Sequence, residues 1–133
     1  MIDLVVVQKA IYDALKTLRV DVVDYIDTSV NCPYVHISNL YINDDSNKTN
    51  ESVVATQYIN IYSEYKGKKE VLELASQVDS LMINIPDIED HQVMVEKQTQ
   101  TITQEFVTRD EVHYKTRHCF QALLIYEIKI IKK

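Results

Sequence analysis

The residues best suited to chemistry sit in two short stretches. TRHCFQALLIYEIKI, from Thr116 to Ile130, sets His118 directly beside Cys119, and NCPYVHI places the other cysteine, Cys32, four residues before His36. Two cysteines and two histidines admit three readings: a zinc site, a catalytic thiol with its base, or ordinary packing. Successive side chains of a strand point to opposite faces, so His118 and Cys119 cannot close on one ion in a regular strand. Cys32 and His36 share a face but lie roughly 13 Å apart when extended, whereas zinc holds each ligand within about 2.0–2.3 Å. A nucleophilic thiol needs an electropositive, partly exposed pocket with its base in reach. Only Arg117 and His118 lie close to Cys119, and Cys32 has no such neighbours in sequence. His91, in a predicted turn, and His113, in a predicted strand, add no relay spacing. Both cysteines are read as small core or rim fillers, and no metal or cofactor is expected.

The acidic pairs fare no better. Asp44–Asp45, Asp87–Glu89–Asp90 and Asp110–Glu111 all fall in predicted turns. Glycosidase chemistry needs two carboxylates in one cleft with their pKa values pushed apart. A calcium loop needs a glycine at its turn, and none is present there. These runs read as solubilising turns, so no enzyme is expected.

Composition narrows the function further. A chain of 133 residues fits one domain, 1–133, with a single core. Gly67 is the only glycine, which excludes a Gly-rich phosphate loop and a dinucleotide fingerprint. The net charge of −6 argues against nucleic-acid binding, whose affinity comes largely from phosphate neutralisation, and against an anionic membrane. No segment approaches the roughly 20 apolar residues that span a bilayer. MIDLVVVQKAIYDAL has acid where a signal peptide needs base, so a cytosolic, unprocessed chain is expected. Two cysteines make no disulfide framework, and the sequons at Asn47 and Asn50 would meet no glycosylation machinery.

The elements that must position any site follow from periodicity. Leu4, Val7, Ile11, Leu15 and Leu18 recur at three- and four-residue steps, predicting a helix from Asp3 to Leu18 with Asp3 favouring its N-terminus. Val20–Ile26 reads as a short strand and PYVHISNLYIN as another, opened by Pro33. DDSNKTNES, from Asp44 to Ser52, has no apolar residue and is expected to be a solvated, mobile loop. Val54–Tyr62 is strand-like. Val71, Leu74, Val78, Leu81, Met82 and Ile85 mark a second helix stopped by Pro86. A polar strand over Val93–Val107, a turn at TRDE and a long strand over Val112–Lys132 complete an α+β domain. Its sheet should be mainly antiparallel, with about five strands packed against two amphipathic helices.

The terminal strand is apolar on both faces. Phe120, Ala122, Leu124, Tyr126, Ile128 and Ile130 form the predicted core side, yet Leu123, Ile125 and Ile131 on the other side are apolar too. The strand around Ile59 and Ile61 has the same habit, with Tyr58 and Tyr62 opposite. A two-sided strand is either covered by helices or buried against another subunit. Two helices can hardly cover both faces of such a sheet, so self-association is expected.

The order of these pieces resembles the tail-completion proteins of long-tailed bacteriophages and prophages, also called tail-to-head joining or tail terminator proteins. The resemblance runs from DLVVVQKAIYDALKTL and VDVVDYI through PYVHISNL and QYINIYSEYKGKKEVLELASQVDSLM to TRHCFQALLIYEIKI, whose Thr-Arg-His onset is its most characteristic piece. The strand KQTQTITQEFV is longer than the general pattern. The resemblance implies a structural virion protein at the tail–head junction. Such proteins cap the tail tube as a ring, typically hexameric, and present a docking surface to the head connector. The implied partners are other copies of the chain, the tail-tube protein and the connector, with DNA passing through without specific binding. Six copies would carry six times −6, or −36 charges, and any that faced the bore would repel phosphates. The interface residues expected on this reading are Asp44, Asp45, Lys48 and Glu51 in the polar loop, with Tyr58, Tyr62, Leu123 and Ile125 on the strands. The alternatives are another head–tail neck component, or a small hydrolase or metal-dependent protein using Cys119, His118 and a nearby carboxylate.

Overall fold

The computed structural model describes residues 2–26, 30–88, 90–110 and 115–133, and the side chains of these outside 103–119. Seven elements follow in order: helix α1 (Leu4–Leu15), strands β1 (Asp21–Val23), β2 (Tyr34–Asp44) and β3 (Ser52–Ser63), helix α2 (Lys69–Ile83), and strands β4 (His91–Asp110) and β5 (Lys115–Lys132). The strands form one sheet in the order β1-β2-β3-β5-β4. Only the β1–β2 pairing is parallel; the other three are antiparallel. The expected α+β class and five-stranded, mainly antiparallel sheet are what the chain forms. Among the described residues no helix is long and apolar enough to cross a membrane.

Local chemistry explains the helix ends. Asp3 is extended and its carboxylate accepts from the Val5 N–H at 3.0 Å, which caps α1. The helix stops at Leu15 rather than Leu18, because after Lys16 the chain tightens and the Leu18 N–H returns to the Leu15 carbonyl. Gly67 joins β3 to α2 with φ +145, a conformation side chains rarely adopt, and no atom lies within 4 Å of where its Cβ would be. Its constraint is therefore conformational and not one of space.

Two strand boundaries differ from the sequence reading. β1 is three residues long, not seven, because β2 offers it pairing only at Tyr34, Val35 and His36. The β4–β5 ladder continues to Asp110 opposite Lys115, so Thr108, Arg109 and Asp110 extend the strand instead of turning. Backbone pairing here overrides the local turn signal of TRDE.

Both helices lie on one face of the sheet. Val7, Ile11 and Leu15 of α1 and Val71, Leu74, Ala75, Val78 and Met82 of α2 join a single core. The sheet contributes Val35 and Ile37, Val53, Ala55, Ile59 and Ile61, and Ala122, Leu124, Tyr126, Ile128 and Ile130. Each such side chain, fully buried, stabilises the fold by about 1.5–3 kcal/mol. Polar links fix the helix on the sheet. The buried Tyr126 hydroxyl donates to Asp79 Oδ1 at 2.9 Å, Lys97 Nζ meets Asp79 Oδ2 at 3.3 Å, and the Ser63 hydroxyl donates to Glu70 at 2.7 Å. Burial first, and the Asp79 carboxylate second, push the Tyr126 phenol well above its ordinary range.

A β-bulge interrupts β2 between Ile37 and Leu40. Gln57, itself buried, fills the break. Its Nε2, which carries two hydrogens, lies within hydrogen-bonding distance of three carbonyls: Ser38 at 3.2 Å, Asn39 at 3.1 Å and Tyr58 at 2.7 Å. The amide thus supplies donors to backbone carbonyls at the break.

Candidate assembly surface

Because both helices sit on one side, no helix lies over the other face of the sheet among the described residues. Its side chains can be read in rows across the strands from the pairing register. Tyr34 (β2), Tyr62 (β3) and Gln121 (β5) make one row, and His36, Asn60, Leu123 and Thr101 the next. Tyr58, Ile125 and Thr99 follow, then Tyr41, Thr56, Glu127 and Glu96, then Asn43, Val54, Lys129 and Met94. Leu123, Ile125, Tyr58 and Tyr62 are half-buried, and Tyr41 and Met94 are exposed.

The half-burial comes from the face's own side chains. Tyr34 and Tyr62 stack with centroids 5.0 Å apart, and Tyr41 meets Tyr58 edge-on at 5.7 Å. Gln121 Nε2 donates to Asn60 Oδ1 at 2.9 Å and to the Tyr62 hydroxyl at 3.4 Å. Burial pulls the His36 imidazole below its ordinary pKa, partly opposed by Asp24. The result is a surface of aromatic, amide, hydroxyl and aliphatic groups, with charges at Glu96, Glu127 and Lys129 toward one end.

The expected interface residues divide into two patches. Tyr58, Tyr62, Leu123 and Ile125 come together on this open face, with Tyr58 directly opposite Ile125. Asp44, Asp45, Lys48 and Glu51 lie in and beside the β2–β3 loop at one end of the sheet. That loop, which is solvent-exposed, closes on itself through polar groups. Asp44 Oδ1 accepts from the Ser46 N–H at 3.0 Å, and Asn47 Oδ1 accepts from the Thr49 and Asn50 N–H groups at 2.9 Å. Hydrogen bonds from Ser46 hold the Asp44 carboxyl below its usual range. Asp45 pairs with Lys129 at 3.1 Å and so ties the loop to the open face; being exposed, that pair adds little stability.

Three residues of the face escaped the sequence reading: Tyr34, His36 and Tyr41. Tyr41 shares it with Tyr34 and His36 only because the bulge shifts the alternation by one residue, and the available signal was the change of apolar positions in β2 from Val35 and Ile37 to Leu40 and Ile42. The Cys–His pair that opened the sequence reading divides likewise. Cys32 is half-buried just before β2, and His36 stands on the open face. His118 and Cys119 occupy β5 opposite Val107 and Phe106, and their side chains lie outside the described residues. Among the described residues no three His, Cys, Asp or Glu gather where they could hold a metal ion.

Fold and surface together define an α+β domain with one helix-covered sheet face and one open, mixed aromatic face. No family model matches this sequence, and no curated protein matches it. Among solved structures, the chain is similar to one in the structure described as the virion of a native gene transfer agent particle. The TM-score is 0.64, with 16% sequence identity and 93% of each chain covered. At that identity the likeness is one of fold.

Proposed function

We propose that this chain is a structural subunit of a phage-like virion, and specifically a tail-completion protein. It caps the tail tube and forms a ring, typically six-membered in the resembling family, that joins the tail to the head connector. The observation that carries this reading is the open sheet face, where Tyr58, Tyr62, Leu123 and Ile125 lie together without a helix over them. Apolar residues left on such a face are the mark of a surface that another chain covers. The fold shared with a chain of a gene transfer agent virion supports the same reading, as does the order of elements that resembles the tail-completion family.

On this reading the partners are further copies of the chain, the tail-tube protein and the connector, and DNA passes without specific binding. The role is structural and not enzymatic. Electron microscopy of the purified protein, alone and with tail tubes, tests it. Rings, or caps at tube ends, are expected; a protein that neither closes into rings nor caps tubes would overturn the proposal.

A further inference from the structure

The two edges of the sheet are built to receive each other. β1 covers β2 only at Tyr34–His36, so the stretch after the bulge, Leu40–Asp44, has no strand on its outer side among the described residues. β4, at the opposite edge, has β5 as its only strand neighbour among the described residues; a bridge to Ile88 covers its outer side at His91, which leaves Val93–Lys97 facing outward. It too is bulged, between Lys97 and Thr99 and again between Thr103 and Phe106, which leaves His91–Lys97 as its regular stretch on the body of the sheet. Exposed regular edges with unpaired N–H and C=O groups are templates for a further strand.

Four features select a second copy of this chain as that strand, bound head to tail. The first is direction. Three successive antiparallel pairings make β4 run opposite to β2. Rotation about an axis along the strands leaves directions unchanged, so β4 of one copy meets β2 of the next antiparallel, with all open faces on one side.

The second is height. Through the register, Asp44 shares a row with Val53, Ile130 and Val93; Ile42 with Ala55, Ile128 and Val95; and Leu40 with Gln57, Tyr126 and Lys97. The two free stretches therefore lie at the same level, and joining them needs no rise along the axis. A head-to-tail contact without rise closes into a ring instead of growing into a filament.

The third is the polarity of the backbone. In an antiparallel strand alternate residues turn both N–H and C=O to the same side. The Asp45 N–H points inward to the Ser52 carbonyl, so Asp44, Ile42 and Leu40 point outward. The Val93 N–H points away from β5 to Asp87 Oδ1, so Val95 and Lys97 also point outward. Outward residues thus face outward residues in every row. The Asp87 carboxylate already occupies the Val93 N–H, which places it at one end of the seam.

The fourth is apolar surface. A cavity of about 390 Å³ at the β2 edge is lined by the apolar Ile2, Leu4, Ile42 and Val53 and by the polar Asp44, Ser46 and Glu51. Leu4 is 42% exposed there. An incoming Val95, next to Ile42, would be covered by it.

We infer that Leu40–Asp44 of one copy and the Val93–Lys97 stretch of the next form an antiparallel seam that continues the sheet from subunit to subunit. This rests on the ring reading above and specifies its contact. The exposed residues Asn43 and Met94 would then form a pair without mutual hydrogen bonds, with Cα atoms about 4.5 Å apart, within disulfide range. The test introduces Asn43→Cys and Met94→Cys together into the Cys32→Ser, Cys119→Ser chain, followed by oxidation, non-reducing gels and electron microscopy. Tyr41→Cys with Met94→Cys, and Asn43→Cys with Glu96→Cys, cover a seam displaced by two residues through strand tilt. One of these pairs should give a ladder of covalent oligomers ending at the ring size, while each single cysteine stays monomeric on the gel. Covalent dimers from Met94→Cys alone would mean that two β4 edges meet, which overturns the inference. Rings on the grid with no cross-link from any pair overturn the seam and leave the ring reading standing. A chain that forms neither rings nor cross-links overturns both.

Discussion

Leu123 and Leu124 are chain neighbours of the same type with different fates. Leu124 is completely buried beneath the helices, while Leu123 stands half-buried on the other side of the same strand. The contrast extends over the sheet, from Ile59 against Tyr58 to Ile128 against Glu127. Burial here is decided by where α1 and α2 land, not by which positions are apolar. The helix-covered face supplies the stability of the single chain, whereas the open face carries apolar groups that the single chain does not fully bury.

Lysine pairs break the comparison most directly. Leu124→Lys with Ile128→Lys puts two unpaired ammonium groups into the core, each costing several kcal/mol; circular dichroism should show an unfolded chain. Leu123→Lys with Ile125→Lys makes the same chemical change one residue away and should leave the fold and its melting curve nearly intact. That double variant should nevertheless fail to join heads to tails in a complementation assay. Collapse of its fold would return the open face to the core, and full activity would remove the surface from the mechanism. Truncation sharpens the contrast: Leu124→Ala should cost about 2–5 kcal/mol, and Leu123→Ala less than about 1 kcal/mol in the monomer, both read from denaturant midpoints.

Gln57→Leu is expected to cost about 1–3 kcal/mol, since it keeps the volume but strands the carbonyls of the bulge. Chemical-shift changes should concentrate at Ser38–Tyr41. A modest effect is expected from the Tyr126 hydroxyl. Its folded pKa lies above the unfolded value, so its contribution is fully present below about pH 10 and is lost as pH rises beyond that. Tyr126→Phe should lower stability by about 1 kcal/mol at neutral pH and flatten the alkaline limb of the melting-temperature profile. An unchanged alkaline limb would separate Tyr126 from that transition.

Much of this fold was legible from period and caps. The spacing of Val7, Ile11 and Leu15, the cap at Asp3 and the even face of β5 all follow from local rules that tertiary packing reinforced. The bulges and the parallel β1 were not legible, because each depends on a partner strand far away in sequence. The surface was half legible for the same reason. Tyr58, Tyr62, Leu123 and Ile125 alternate within regular strands, and single-strand reasoning finds them. Tyr41 lies beyond a break whose existence depends on Gln57. In the polar loop the lack of apolar anchors is legible from composition, whereas the turns that Asp44 and Asn47 supply depend on which N–H groups their side chains reach.

The bulge in β2 acts as a frame shift in the strand's pattern. Before it, odd-numbered residues face the helices; after it, even-numbered residues do. Ser38 and Asn39 are the junction between the two frames, and Gln57 holds the splice. Straightening the strand with both residues kept would put the remainder of β2 out of frame, turning Tyr41 and Asn43 toward the core and Leu40 and Ile42 outward. Deleting either one would instead leave a single residue opposite Tyr58, so the strand would lose its bulge and keep its faces. Among relatives of this chain, a regular β2 one residue shorter is therefore the expected counterpart of the bulge.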